Sequence, residues 1–430
     1  MKTLEKSIIP FGFVISFFLM DYNSFIRGIK LSELILIIVT AVLLFRNRVI
    51  QIEGTKKVII LMYVVALVCT LIPFGIYNFD TSLVSKIEVC SRVVRYLGYV
   101  IFIVVGMDVS KKEKTLDIFR VMTLILAIYM ILQFVFYYLA RIILPIKIIP
   151  WLTWGRDSSI EYLQSVFSAG YFRSYGIMAE PGYALTLLLP TFALYLMEKE
   201  LKGRYFGLIV LSIAIMTTIS VQAIIIMAVT ILYGFACELF DDRMYVKPLT
   251  ILAILGGGIV IILILSSGVL LPVFQRIFAI GTIGKSGGNG STAVRLFRGF
   301  AIYSKLPLGA KLFGVGLGNV GNAVRTFGIT TQYDAIQSTE LDIECTNGIA
   351  GLLIMSGMIG LVIYIVLVIR LFCNSSRISR LIVIQWLLFL LAGSSFYSLD
   401  SVLLIILVYL YRANTELRCC SCEKSWKLYN

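Results

Sequence analysis

Apolar residues in this chain neither alternate nor recur at every third or fourth position; they run on, broken by short polar clusters. A helix needs about 20 predominantly apolar residues to cross a bilayer. That length predicts twelve spans: Ile8 to Met20, Leu31 to Phe45, Val58 to Ile76, Glu88 to Met107, Val121 to Ala140, Pro181 to Met197, Tyr205 to Thr217, Val221 to Phe235, Pro248 to Leu271, Gly348 to Leu371, Leu381 to Ser394 and Leu399 to Tyr411. The first, the seventh and the last two are short, so about twelve is the expectation. The apolar run from Gly207 to Cys237 is too long for one helix, and the polar Thr217-Thr218-Ile219-Ser220 predicts a tight turn between two. Uninterrupted runs exclude the alternating pattern of a transmembrane barrel, which leaves helices as the form that satisfies its own backbone in lipid.

Composition agrees. Of 430 residues, 59% are hydrophobic and 14% charged, against about 45 to 50% and about 25% for soluble domains. The fold expected is an all-α polytopic membrane protein, one integral membrane domain over residues 1–430. The net charge of +14 would suggest a nucleic-acid partner if the cations were clustered, but they lie mostly between spans. With the amino terminus inside, the inside segments gather 22 Lys and Arg, whereas the short outside loops hold Arg27, Lys30 and Lys86, with Arg92 and Arg95 just within the fourth span. Cytoplasmic loops carry the excess of Lys and Arg, so both termini are expected in the cytoplasm, with no nucleic-acid partner. The first apolar run lacks a small-residue cleavage site, so no cleavable signal is expected, and no repeat suggests the inverted halves of a transporter.

The chain has no His. That removes Ser-His-Asp and Cys-His triads, a His general base and imidazole-ligated metals; carboxylates, Arg, Lys and hydroxyls must carry any chemistry. The eight Cys are scattered apart from Cys419, Cys420 and Cys422 and imply no disulfide framework. The Cys419/Cys422 pair lacks further ligands for a closed zinc site, and no metal or cofactor is expected.

Two segments are too long and polar to be simple connections, about 141–180 and about 272–346, and the orientation places both outside. Loops of this length in compact proteins are usually functional. The first holds Trp151, Trp154, Arg156, Asp157 and Glu161, then Arg173 to Gly182 (RSYGIMAEPG). The tryptophans suit an interfacial belt or sugar stacking. Glu180 precedes Pro181 at the head of an apolar helix, where a carboxylate favours the helix dipole; capping and chemistry both remain open for it. The second loop begins with the glycine-rich Gly284 to Thr292, followed by Arg295 and Arg298, and ends in Asp334, Glu340, Asp342 and Glu344. Backbone amides and guanidinium forks both suit phosphate oxygens, and on a helix Arg295 and Arg298 would share a face; a solvated helix face is the alternative. Gly314 to Asn319 lacks the spacing of a dinucleotide fingerprint. Arg92 and Arg95, charges inside a span, suggest a cationic lining at a cavity mouth, with snorkelling to headgroups as the alternative.

RSYGIMAEPG, the Thr218-Ile219-Ser220 turn, NGSTAVRLFRG (Asn289 to Gly299) and FGVGLGN (Phe313 to Asn319) together resemble the bacterial O-antigen polymerase and ligase superfamily, and the resemblance extends over the layout of nearly the whole chain. Ligases of that superfamily carry a His, then Asn, Ser or Gln, nine residues and a Gly-x-x-Gly-like step. Here Thr346-Asn347 stands nine residues before Gly357-Met358-Ile359-Gly360, so the frame is kept with Thr in the place of His. That departure favours the polymerase branch. An Arg, ten residues and Gly, described in polymerase loops, is matched by Arg298 to Gly309 and by Arg276 to Gly287. The resemblance implies a membrane glycosyltransferase of GT-C-like architecture in the bacterial cytoplasmic (inner) membrane. It would polymerise O-antigen or capsule repeat units, moving a glycan from undecaprenyl pyrophosphate onto a lipid-linked repeat unit at the outer leaflet. It further implies a chain-length regulator protein as partner.

Pyrophosphate is a good leaving group, so the protein must stabilise the departing charge and position a hydroxyl. Arg173, Arg295 and Arg298 are expected to form the pyrophosphate clamp, with Arg92 and Arg95 assisting and Asn347 lining the site. A carboxylate base would be Glu180 first, ahead of Asp334, Glu340 and Asp342, and transfer is expected to be metal-independent. A lipid-linked oligosaccharide flippase and an O-antigen ligase are the competing readings.

Overall fold

The computed structural model describes residues 2–26, 29–46, 52, 54–77, 83–109, 113–145, 172–239, 294–331, 347–373, 375–393 and 395–411. Among these the chain is helical and forms no strand; a single antiparallel bridge pairs Asn23 with Lys30. The helices are α1 (Lys2–Phe18), α2 (Leu31–Arg46), α3 (Thr55–Ile76), α4 (Leu83–Val109), α5 (Glu113–Ala140), α6 (Pro181–Met197), α7 (Arg204–Thr217), α8 (Val221–Leu239), α9 (Gly299–Lys305), α10 (Leu308–Phe313), α11 (Val320–Thr326), α12 (Gly348–Cys373), α13 (Arg377–Ala392) and α14 (Leu399–Tyr411). Eleven of the twelve apolar runs are thus helices. The ninth, Pro248 to Leu271, lies outside the described residues. Segments of α3, α4, α5 and α12 are each long and apolar enough to cross a membrane, as a multi-pass membrane protein requires.

The chain divides into two compact units. One comprises Met1–Phe119 and Gly290–Asn430, the other Arg120–Asn289. In the second, α6 is buried from Ala184 to Tyr195 and packs against α7 and α8. Gly207 on α7 has no room for a side chain, since a Cβ there would stand 2.4 Å from the Tyr195 ring. Arg204 donates from Nε to the Tyr195 carbonyl (3.0 Å) and from Nη2 to the Leu196 carbonyl (2.8 Å), closing off the last turn of α6.

In the first unit α12 packs on α3, α9, α10 and α13. The part of the second loop that is described, 294–331, is folded. Ile302, Leu306, Ala310, Val315, Val320, Ala323 and Ile329 form a small core that includes Ile354 of α12, with Tyr77 and Phe327 packed against it. Helix α12 is broken at Gly357, whose backbone (φ 63°, ψ −166°) only glycine adopts readily.

Candidate functional site

In the second unit the two motifs that the sequence separates by some forty residues meet. The Ser174 amide donates to the Thr217 carbonyl (3.0 Å) and Arg173 Nε to the Thr218 carbonyl (2.9 Å). Thr218 to Ser220 is the expected turn between α7 and α8. It holds Ile219 at φ 45°, a strained value for a β-branched residue. Ser174 Oγ donates to the Met130 carbonyl of α5 (2.9 Å). The Gln133 side chain spans the peptide groups of Gly176: its Nε2 donates to the Gly176 carbonyl (2.8 Å) and its Oε1 accepts from the Gly176 amide (2.9 Å). Glu180 stands at the N-cap of α6 before Pro181 and makes no side-chain capping hydrogen bond, so as a helix-end residue it would act through its charge on the helix dipole. Arg173 and Glu180 therefore sit at the two ends of one braced segment.

Three further motifs meet in the first unit. Val294–Arg298 is one π-helical turn, a wider turn frequent at functional sites. The α-helical spacing that would align Arg295 with Arg298 therefore does not apply, and only the backbone of Arg295 is described. Arg298 is 6% exposed. Asn347, buried at the head of α12, braces this turn. Its Oδ1 accepts from the amides of Ile349 (3.0 Å) and Ala350 (3.1 Å), and its Nδ2 donates to the carbonyls of Leu296 (3.3 Å) and Leu391 (3.2 Å). An amide side chain has two donors and two acceptor sites, so Asn347 is engaged within the protein, and the ligand-lining role expected of it narrows to positioning.

The third motif, Gly314 to Asn319, enters the break in α12. The amides of Val315 and Gly316 donate to the carbonyls of Ile354 (2.8 Å) and Met355 (2.9 Å), and Cys69 Sγ lies 3.9 Å from the Ser356 carbonyl. Leu317 donates its amide to Thr70 Oγ1 (2.9 Å). Gly314, Gly316 and Gly318 all have positive φ, and a Cβ on them would strike the backbone of α12, α3 or α4. A Cβ on Gly318 would stand 3.3 Å from Arg92 Cγ, so the loop lies against the cation expected at the cavity mouth. Next to the break, the Ser356 and Tyr397 hydroxyls are 2.6 Å apart. Burial pushes the Tyr397 phenol well above its ordinary value, the Ser356 hydrogen bond opposing this, and keeps it neutral.

Arg95 is not open to a ligand on all sides: its Nε pairs with Glu33 Oε1 at 3.0 Å. Tyr99 donates to the same oxygen (2.8 Å), while Glu33 Oε2 accepts from the Lys30 amide (2.9 Å) as in a capping box. Glu33, Asp21 and Asp400 are all at most 6% exposed. These carboxylates had a sequence signal that the loop-centred reading passed over: Glu33 and Asp400 each stand inside an expected apolar span, where a charge is functional or paired. Asp334, Glu340 and Asp342, with Trp151, Trp154, Thr346 and the Gly284 to Thr292 stretch, lie outside the described residues.

No known protein-family model matches the chain, and no curated protein matches it significantly.

Proposed function

We propose that the protein is a polysaccharide repeat-unit polymerase: a multi-pass glycosyltransferase of about twelve spans and GT-C-like architecture in the bacterial inner membrane, both termini cytoplasmic. It transfers a growing glycan from undecaprenyl pyrophosphate to a lipid-linked repeat unit at the outer leaflet. The observation that carries the reading is the way the resembling motifs fold. Val294 to Gly299 of NGSTAVRLFRG and FGVGLGN both pack on the Asn347 to Gly360 frame of α12, and RSYGIMAEPG packs on the Thr217 to Ser220 turn. Short motifs that match by accident have no reason to be partners in space.

The chemistry fits the inventory. Arg298, held nearly buried in a π turn, offers a desolvated guanidinium to a lipid pyrophosphate, which strengthens its interaction with phosphate oxygens. Arg92 assists beside the glycine loop. Arg95 is a weaker candidate than the sequence suggests, because Glu33 already offsets its charge. Arg173 and Arg295 stay assigned to the clamp, and Glu180 to the base that takes the proton of the acceptor hydroxyl.

The test is genetic. The gene is deleted, and surface polysaccharide is run beside strains rescued with wild type, Glu180→Gln, Arg173→Ala and Arg295→Ala. The expected result is a single repeat unit with the ladder lost in the deletion and in the inactive variants. Lipid-linked units held at the inner leaflet would identify a flippase instead, and full-length chains left on the carrier a ligase.

A further inference from the structure

Hydropathy assigns the whole of 272–346 to an external loop. Helix α12 begins at Gly348, and its break at Gly357 lies nine residues further on, roughly 13 Å along the axis at about 1.5 Å per residue. Gly314 is seated in that break: a Cβ on it would lie 2.3 Å from the Met355 carbonyl oxygen, and one on Gly357 would lie 2.2 Å from the Leu312 carbonyl oxygen. Gly316 reaches Cys69 and Thr70, inside the apolar stretch Thr55–Ile72 of α3, and Gly318 reaches Val89, where the apolar stretch of α4 begins. The segment therefore descends beside three apolar helices to a level below the start of α12.

Non-helical backbone at such a depth is tolerated only where its polar groups are satisfied inside the protein, and the amides of Val315, Gly316 and Leu317 are. At the break in α12 the carbonyls of Ile354 and Met355 accept from the amides of Val315 and Gly316, while Thr70 Oγ1 accepts from the Leu317 amide, so the broken helix and its neighbour α3 supply acceptors to the loop. The outward side chains are apolar: Leu308, Leu312 and Phe313 are 73%, 42% and 46% exposed. Helix α10 packs on α12, whose side chains just past the break, Met358, Ile359 and Val362, are likewise apolar and exposed. In water, such a patch on the tip of a polar loop would be costly.

We propose that α10 and Gly314 to Asn319 form a re-entrant element that dips into the membrane between α3, α4 and α12, with Leu308, Leu312 and Phe313 against lipid hydrocarbon. This rests on the reading of α12 as a membrane span and on no assignment of catalytic activity.

The full-length protein, reconstituted in phosphatidylethanolamine/phosphatidylglycerol vesicles, would carry single spin labels at Leu308, Leu312 or Phe313, with Val362 on α12 and Phe25 in the α1–α2 loop as references. The labels at 308, 312 and 313 should collide with oxygen in preference to a water-soluble nickel chelate, as at Val362 and unlike Phe25. Carbene footprinting of the unsubstituted protein from a lipid-dissolved diazirine needs no substitution and should modify the Leu308 to Phe313 peptide together with that of α12. Nickel-accessible labels and an unmodified peptide at 308–313, with Val362 in lipid, would overturn the re-entrant element alone. A water-exposed Val362 would overturn the membrane reading of α12 and the proposal with it.

Discussion

The two motif-bearing segments are fixed by opposite means. Arg173 to Glu180 is tied down chiefly through side chains: Gln133 reaches its backbone at Gly176, and its own Ser174 and Arg173 side chains reach the carbonyls of Met130 and Thr218. Gly314 to Asn319 is tied down by its own backbone, fitted into the break in a helix and needing glycine at Gly314 and Gly316, where a Cβ would meet the backbone of α12 and α3. A segment of the first kind is loosened by losing one polar side chain. One of the second kind is broken by gaining a methyl group.

The largest effect should come from that methyl. Gly314 (φ 80°, ψ 179°) and Gly357 (φ 63°, ψ −166°) both occupy backbone regions nearly confined to glycine, and each would direct a Cβ at a carbonyl oxygen of the other segment. Gly357→Ala or Gly314→Ala should cost about 4 kcal/mol or more, strain and backbone clash together. The measurement is the thermal unfolding midpoint in detergent, where a shift no larger than that of Gly182→Ala, a position with open space around it, would refute the interlocked geometry.

Next comes Gln133→Ala. It leaves the buried amide and carbonyl of Gly176 without their partner, a loss of about 3 kcal/mol. The damage should be local to the braced segment, so limited trypsin digestion should cut after Arg173 sooner than in wild type. An unchanged digestion rate would show that the brace does not hold the segment.

A smaller loss is expected at Asn347, which does both kinds of work. Asn347→Ala removes the cap of α12 and the two bonds to Leu296 and Leu391, about 2 kcal/mol, whereas Asn347→Ser retains a cap and should cost about half of that. Equal losses in chemical unfolding would mean that the cap carries none of the effect.

The spans were legible because a bilayer demands length and apolarity at once, and few alternatives share that pattern. Eleven runs are helices, Leu399–Tyr411 without any shift, while the helices beginning at Lys2, Leu83 and Glu113 start well before the expected Ile8, Glu88 and Val121. The details of the site were less legible for three physical reasons. A π turn and an α turn have the same composition, so the Arg295/Arg298 spacing misled. The sequence marks Gly314 to Asn319 as glycine-rich, but that these glycines clear the backbones of α3 and α12 depends on partners far away in the chain. Pairing is long-range: Glu33 and Arg95 stand far apart in the chain, and each alone reads as a stray charge.

The smallest structural effect should accompany the largest functional one, at Glu180. Glu180→Gln keeps the size and polarity of the side chain and removes the carboxylate charge at the head of α6, a helix-dipole contribution of under about 1 kcal/mol. If Glu180 is the base for the acceptor hydroxyl, the same substitution removes the only function a neutral amide cannot take over, and rescue of the polysaccharide ladder should fail while the protein accumulates and unfolds as wild type does. Arg173→Ala provides the contrast: it breaks the bond to the Thr218 carbonyl, so loss of the ladder there should come with a lowered unfolding midpoint. A Glu180→Gln strain with a full ladder would leave the carboxylate a helix-dipole residue. One with neither ladder nor stable protein would make Glu180 part of the brace and move the search for the base to the buried carboxylates of the other unit, Asp21 and Asp400.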